Sequence, residues 1–508
     1  MKNLDKKIEE WNLKLLAFKI YSMKKKMIWC LLGLFTGFLN AQKIDATLVL
    51  SPKEPRPLWF DYCKYDKGLV TIAPMSKSSK RNIGIYKYDE NFKRQWVKEV
   101  YEQNLNSEIA NLTVISDNIF LFVNEINGKE QVTKLFHWDI EGKKIKENQP
   151  VLRISQNEKF SNLKFKKSFN TLRFLGFTFS IQKNWVDFRF ITYNDEDNVF
   201  SEGKIQIPYS SESFEIFQVE ISNQGNIFVL AKEKKGKGNL PNDYHYVLIK
   251  YQPDTEKLSS CTLLVENRFI TDIIFKIDKN EDLFLGGFYS NTNSKSIIGT
   301  VYFRIDAWTM EIVNQKYDKL DNSFLERYIS QKQIYKGREL EDFYLDKMVL
   351  RSDGGIVLFA ERFYSTFSSS SMYYGYYGPN MYYRDRIIYN YNDVAILSID
   401  NAGKIEWTSI VEKRQSSEFP QQLSYVPVIT PEKVVIFYKY YIRGLGHNVY
   451  YQVVNEGKVN SQPKMFFSDF SARDYFYRSA CEQISNNEAI LVVFKARGRL
   501  FTFYKVSF

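Results

Sequence analysis

Past its first forty residues, the chain places apolar side chains at alternate positions in short runs broken by polar turns. This is the period of a strand, not a helix. The runs also repeat. A tight turn leads into a β-forming run at KGLVTIAP (67–74), DNIFLFVNE (117–125), NTLRFLGFTF (170–179) and GNIFVLAKE (225–233). The series continues at EDLFLGGFY (281–289), GGIVLFAERF (354–363), EKVVIFYKY (432–440) and NEAILVVFK (487–495). A second run follows each one, as in NIGIYKYDENFKRQW after the first and RLFTFYKVSF after the eighth, and most bend through an Asn or acidic turn into a third. A short strand precedes many of the units, among them ANLTVIS (110–116), FEIFQVEIS (214–222), TDIIFKID (271–278), LDKMVLRS (345–352) and LSYVPVIT (423–430). The turns after these strands carry Ser116-Asp117-Asn118, Asn223-Gln224-Gly225 and Ser352-Asp353-Gly354, residues that tolerate the positive φ of tight hairpins.

Each unit therefore reads as a four-stranded antiparallel meander, A-B-C-D. A fixed repeat of this size argues for radial or linear stacking of one supersecondary unit. The eighth unit ends at Phe508 after its C strand, and Ile44–Leu50 (IDATLVL) matches the missing D strand. Pairing that segment with the last unit closes a ring. The fold expected over residues 42–508 is all-β, a single eight-bladed β-propeller closed by its N-terminal strand, which leaves no long open sheet edge. Seven blades remain the alternative if one unit is irregular.

Composition agrees: Phe 40, Tyr 35 and Trp 8 make up 16% of 508 residues, favouring strands. The net charge of +11 changes the picture only until it is located. Residues 1–41 hold +5 of it, and the remaining +6 is spread over a mixed surface without a basic stripe, so no nucleic-acid partner is expected. Residues 23–41 have the parts of a cleavable signal peptide: Lys24–Lys26, the apolar run Met27–Leu39 and the small Ala41 before Gln42. That run is short of the ~20 residues of a spanning helix, so no transmembrane span is expected in the mature chain, and the location expected is secreted or periplasmic. Residues 1–22 read as an upstream extension preceding a second start at Met23, packed against nothing. Cys63, Cys261 and Cys481 remain after cleavage, an odd number with no CxxC. They read as small buried hydrophobes, with a Cys63–Cys481 bridge as the alternative.

Two C–D hairpins, IYKYDENFKRQW (85–96) and AILSIDNAGKIEW (395–407), place Asp89 and Asp400 seven residues before Trp96 and Trp407. This resembles the repeat of quinoprotein-type propellers, which also occurs in an outer-membrane assembly scaffold protein that binds no quinone. The resemblance implies an eight-bladed ring in which Asp orders the turn and Trp docks onto the next blade. It implies nothing about activity.

Length is concentrated in the B–C and D–A connections, which leave such a sheet at one end. The longest expected loop is the B–C segment of unit 6, roughly 364–390, where Tyr373, Tyr374, Tyr376, Tyr377, Tyr382 and Tyr383 are interleaved with glycine and followed by Arg384 and Arg386. Tyr441 and Arg443 lie in the corresponding segment of unit 7 and complete the candidate binding set. Tyr, Ser, Gly and Arg mixtures suit recognition of proteins or glycans; an Ω-loop that merely caps the channel is the alternative. Residues 234–243 are a further loop of unit 4, and 321–343 carry the helical insert. His137, His245 and His447 lie too far apart in the repeat to share a metal, and no zinc, P-loop or nucleophile-elbow motif occurs. No vicinal Cys pair or acidic calcium cluster supports a quinone dehydrogenase. The reading is an exported, monomeric, non-catalytic module without cofactor or metal, which binds a protein or polysaccharide at the cell envelope. The alternative is a carbohydrate-active hydrolase or lyase using carboxylates such as Glu341, Asp342 or Asp243 on the long-loop face.

Overall fold

The computed structural model describes residues 43–49 and 57–508, apart from 64–67, 76–81, 103–106, 156, 210–212, 235–239, 241–242, 266, 294, 374–380, 443–445, 460–461 and 468–469. The leader and the upstream extension lie outside the described residues.

Eight antiparallel four-stranded blades stand in a ring. Blade 2 shows the plan, with strands Ser107–Ile115, Asn118–Asn127, Glu130–Asp139 and Lys144–Ser155 paired in that order. Ser116 in its A–B turn adopts φ 50°, and Gly225 and Gly354 at the equivalent turns of blades 4 and 6 adopt 91° and 86°, as their residue types allow. The last blade takes its fourth strand from the N-terminus. Lys43–Val49 runs antiparallel to Leu500–Ser507, from Lys43 opposite Ser507 to Val49 opposite Thr502. Eight blades close the ring, not seven.

The apolar core is not one mass but a set of wedges between adjacent blades. In strand B of blade 2, Ile119, Leu121 and Val123 face blade 1 while Phe120 and Phe122 face blade 3. Because successive side chains point to opposite faces and both faces are covered, central strands read as nearly continuous apolar runs. The wedge between blades 8 and 1 joins Ile490, Val492, Phe501 and Phe503 to Tyr62, Leu69 and Tyr86, so side chains seal the ring as well as backbone pairing.

The tryptophan docking implied by the resemblance is present. The indole of Trp96 on blade 1 donates from Nε1 to the Ile140 carbonyl of blade 2 at 3.1 Å and lies over Gly142. Trp407 of blade 6 covers Gly457 of blade 7 in the same way. Both glycines hold positive φ (84° and 77°), and a Cβ at either would meet the indole at 3.1 Å or less. The aspartates order their turns: Asp89 Oδ1 accepts from the N–H of Asn91 (3.0 Å) and Lys93 (2.8 Å), and Asp400 Oδ1 from Ala402 (2.9 Å) and Lys404 (2.8 Å). In blade 5 the tryptophan position, opposite Arg304, is held by Asn314, whose Nδ2 donates to the Asn401 carbonyl of blade 6 at 3.1 Å, while the stem of Lys316 packs against Gly403. Cys63, Cys261 and Cys481 are free thiols, which sets aside a Cys63–Cys481 bridge.

One buried histidine makes the blade 2–3 interface sensitive to acid. Asn118 donates its amide to Asp195 Oδ1 at 2.9 Å, which aims its carbonyl at His137 Nε2, 2.7 Å away. Nε2 therefore carries the proton, and the fully buried Nδ1 finds no partner among the described residues. Burial, then the nearby Lys146 charge, pull His137 down to about 4, against Asp139 and Asp195. Below pH 6.5 the unfolded chain takes up a proton that the native site refuses, so stability falls as pH drops from 6.5 towards 4, by up to about 3 kcal/mol. His137→Phe is expected to flatten that limb of a melting-temperature profile while lowering stability at neutral pH. An unchanged acid slope would refute the assignment.

Candidate functional site

The B–C and D–A connections leave the blades at one end, and at that end blade 6 outgrows the others. Its strands B and C run Ile356–Tyr373 and Met381–Ile399, 18 and 19 residues, against 8 and 9 for Ile227–Lys234 and Tyr244–Gln252 in blade 4. The register continues unbroken from Phe363 opposite Tyr391 to Tyr373 opposite Met381. The segment expected as a loop over 364–390 is thus a two-stranded ribbon standing off the ring. Its arms set Tyr, Ile, Thr366 and Phe367 among serines, and these branched or aromatic side chains favour extended backbone. Pairing also satisfies the backbone where no core exists to bury it. The unit 7 segment is likewise mostly strand, with arms ending at Ile442 and resuming at Gly446.

The ribbon is braced at its foot. Phe363 packs 4.7 Å from Tyr391 and 5.7 Å from Tyr344. A third short strand, Gln415–Ser417, pairs with it at Tyr389–Tyr391, and Arg386 Nη1 meets Glu418 Oε1 at 2.6 Å. Further out, Phe367 is 69% exposed and Ile387 50%, an apolar surface with no core to serve. Of the candidate binding residues, Tyr373 ends one arm, and Tyr382, Tyr383 and Arg384 lie on the other, opposite Met372, Ser371 and Ser370. Arg386 is tied to Glu418, and Tyr441 is exposed near the foot. Tyr374, Tyr376, Tyr377 and Arg443 lie outside the described residues.

Two cavities flank the foot. One, about 730 Å³, lies between the connections of blades 6, 7 and 8, and Arg414, Phe419, Lys439, Tyr441 and Arg473 are among its lining. Lys439 forms part of its floor, donating to the carbonyls of Asp474 (3.0 Å) and Ala472 (2.5 Å). Burial pulls its ammonium down to about 8, with Asp474 opposing. The other cavity, about 670 Å³, lies between blades 4, 5 and 6 and gathers Tyr244, Asn293, Lys295, Glu341, Asp342 and Tyr344. Two of the carboxylates singled out from the sequence, Glu341 and its chain neighbour Asp342, line this cavity, whereas Asp243 accepts from the Leu240 N–H of its own loop (2.8 Å). Burial raises the Asp342 carboxyl, Arg362 opposes that, and Glu341 adds to it. Behind this cavity, Glu339 is buried among the hydroxyls of Ser290, Thr292 and Ser296 and the N–H of Asn291, which fasten the helical insert to blade 5.

Ion pairs between blades line the ring axis. Asp61 accepts from Lys167 Nζ and from the Val114 N–H, both at 2.6 Å, bridging blades 1, 2 and 3. Glu220 meets Lys166 at 3.1 Å and Lys276 at 3.8 Å, and Arg478 of blade 8 binds both carboxylate oxygens of Asp346 on blade 6 at 2.6 and 2.7 Å. Each of these joins strands of different blades, the work of a hub. Sequence reading missed this network because it depends on which A strands the ring sets side by side.

Among the described residues no helix is long and apolar enough to cross a membrane, and no three His, Cys, Asp or Glu side chains group as metal ligands. No known protein family and no curated protein sequence matches the chain. Among solved structures it is similar to the WD40 domain of SCAP from fission yeast, at 10% identity over 91% of this chain and 98% of that one, TM-score 0.39. It is similar to the polysaccharide lyase Uly1 at 10% identity, over 92% and 99% of the two chains, TM-score 0.35. The β-propeller domain of the Trilobed protease from Pyrococcus furiosus matches at 10%, over 85% and 99%, TM-score 0.35. At such identities the likeness concerns the fold alone, and the chain is an eight-bladed β-propeller.

Proposed function

We propose that this protein is an exported, non-catalytic binding or scaffolding propeller that holds a protein or polysaccharide at the cell envelope through the face bearing the ribbon. The observation that carries the reading is the ribbon itself. A paired projection with exposed Phe367 and Ile387, braced by its own third strand and flanked by open cavities, gives the ring nothing it needs to stand. Rigid scaffolds carry function on such end segments. Export fits the same arrangement: a leader cut between Ala41 and Gln42 would place the closing strand Lys43–Val49 directly at the mature N-terminus.

Ser365 and Tyr389 face one another, so an Asn-Gly turn can join them and remove the ribbon while keeping the Phe363–Tyr391 packing and the strand Gln415–Ser417, at the loss of the Arg386–Glu418 pair. The truncated protein is expected to melt within a few degrees of wild type, by analogy with other exposed segments. It is also expected to lose capture of its partner from an envelope fraction. Capture at wild-type strength would overturn the reading.

A further inference from the structure

We infer that the cavity between blades 6, 7 and 8 holds an acidic polysaccharide, with Arg414 and Arg473 gripping its uronate carboxylates. This rests on the binding reading above and names the ligand class for one part of that face.

Charge is the first argument. Arg414 and Arg473 are both exposed, line the same cavity, and have no ion-pair partner among the described residues. Lys439 adds a third cation in the floor. The carboxylates nearby are already engaged: Glu418 by Arg386 at 2.6 Å, and the buried Asp474 by the N–H groups of Ser471 (2.9 Å) and Ala496 (2.8 Å) and by Lys495 at 3.8 Å. The cavity is therefore a positive depression in a surface of otherwise mixed charge, and such a cleft concentrates anions. The guanidinium fork suits a planar carboxylate better than a point charge does.

The remaining lining suits sugar. Phe419 is 53% exposed and Tyr441 56%, with the ring pair Tyr475–Phe494 (5.2 Å) beside them. Flat rings left in solvent offer an apolar surface for the C–H faces of pyranoses, while their edges admit polar groups. Gln421, Gln422 and Ser416 add side chains that both donate and accept, as hydroxyl-rich ligands require. The volume, about 730 Å³, lies in the range of ligand sites. An acidic peptide fits less well. Extended peptides bind by adding a strand to an open edge, and this wall is a three-residue strand followed by the 3-10 turn Pro420–Gln422, which presents side chains.

The test is titration of the full-length mature chain with polygalacturonate, with neutral dextran and poly-L-glutamate as controls. Wild type is expected to bind polygalacturonate in a salt-sensitive way, ignore dextran, and bind poly-L-glutamate at least tenfold more weakly. Arg414→Gln combined with Arg473→Gln is expected to weaken polygalacturonate binding tenfold or more at unchanged melting temperature, and the paired Arg→Lys variant to lose less. An unaltered affinity in the double Gln variant, no binding by wild type, or equal binding of poly-L-glutamate would each overturn the inference. The ribbon-truncated protein carrying Glu418→Gln, which keeps both arginines and leaves no freed carboxylate in the cavity, separates the two readings. Ribbon-dependent capture without polygalacturonate binding sinks this inference alone; polygalacturonate binding with capture unaffected by truncation sinks the ribbon reading alone.

Discussion

Removing Lys43–Val49 is expected to lower the melting temperature by roughly 5–10 °C and to make the protein self-associate. The strand pairs along almost its whole length with Leu500–Ser507. At about 1 kcal/mol net per backbone hydrogen bond, its loss forfeits about 5 kcal/mol, and for a chain this long each kcal/mol moves the midpoint by roughly 1–2 °C. The second effect is an exposed edge: without its partner, Leu500–Ser507 offers a row of unpaired N–H and C=O groups to any other chain. A circular permutant provides the rescue. Since Lys43 faces Ser507, an Asn-Gly turn can lead from Phe508 into Lys43, with new termini opened between Val49 and Pro57. The permutant is expected to melt within a few degrees of wild type and to keep the wild-type oligomeric state. If the deletion alone leaves melting and monodispersity unchanged, the ring does not depend on its N-terminal strand.

That strand shows why so much of the architecture was legible. The eight units repeat because every blade must bury both faces of its central strands, and burial on both faces leaves a pattern in the sequence. Ile119 to Val123 is apolar throughout since odd and even positions serve different wedges. The turns were legible for a second reason: Asp89 and Asp400 bond to backbone only a few residues away, so their chemistry is local. Blades 7 and 8 are less regular, with Lys458–Val459 and Lys464–Phe467 sharing the outer edge of one and two-residue strands forming the inner edge of the other. There the period-two signal is correspondingly faint.

The candidate site was only half legible. Ser365 to Ser371 show no apolar alternation, so the composition suggested a loop. The alternation of Tyr and Asn through Tyr389–Asn392, after Ile387 and Ile388, was the signal that could have revealed it. The cavity beside it was not legible at all. Arg414, Tyr441, Arg473 and Phe494 come from separate stretches that meet because the ring curves back on itself. Nothing in the spacing of two exposed arginines records that they face one space.

Glu361→Gln is expected to destabilise the protein by about 3–5 kcal/mol, because it strips the counter-charge from a buried ammonium. Lys413 Nζ sits 2.5 Å from Glu361 Oε1 and donates also to the Tyr391 carbonyl (3.0 Å) and to Gln415 Oε1 (2.9 Å). Ser424 Oγ donates to the other oxygen of Glu361 at 2.5 Å, so every charge in the cluster is met. Burial lowers the Lys413 pKa even so, with Glu361 opposing and Arg478 adding to the decrease. Without the carboxylate it falls further. The unfolded chain then holds a proton up to the ordinary lysine value of 10.5 that the native site has released, so the variant should regain stability as pH rises towards 10.5. Glu361→Gln with Lys413→Met removes the stranded charge; it is expected to recover most of the loss and to lack the alkaline gain. A single variant as stable as wild type at neutral pH would show that the pair carries no such charge. The cluster also reaches the proposed glycan cavity, because Arg414 stands between Lys413 and Gln415, and Gln415 is held by the carbonyls of Ser424 (3.2 Å) and Lys439 (2.7 Å). The interior pair thereby sets the strand from which the exposed arginine projects, and loosening it is expected to weaken polygalacturonate binding without touching either guanidinium.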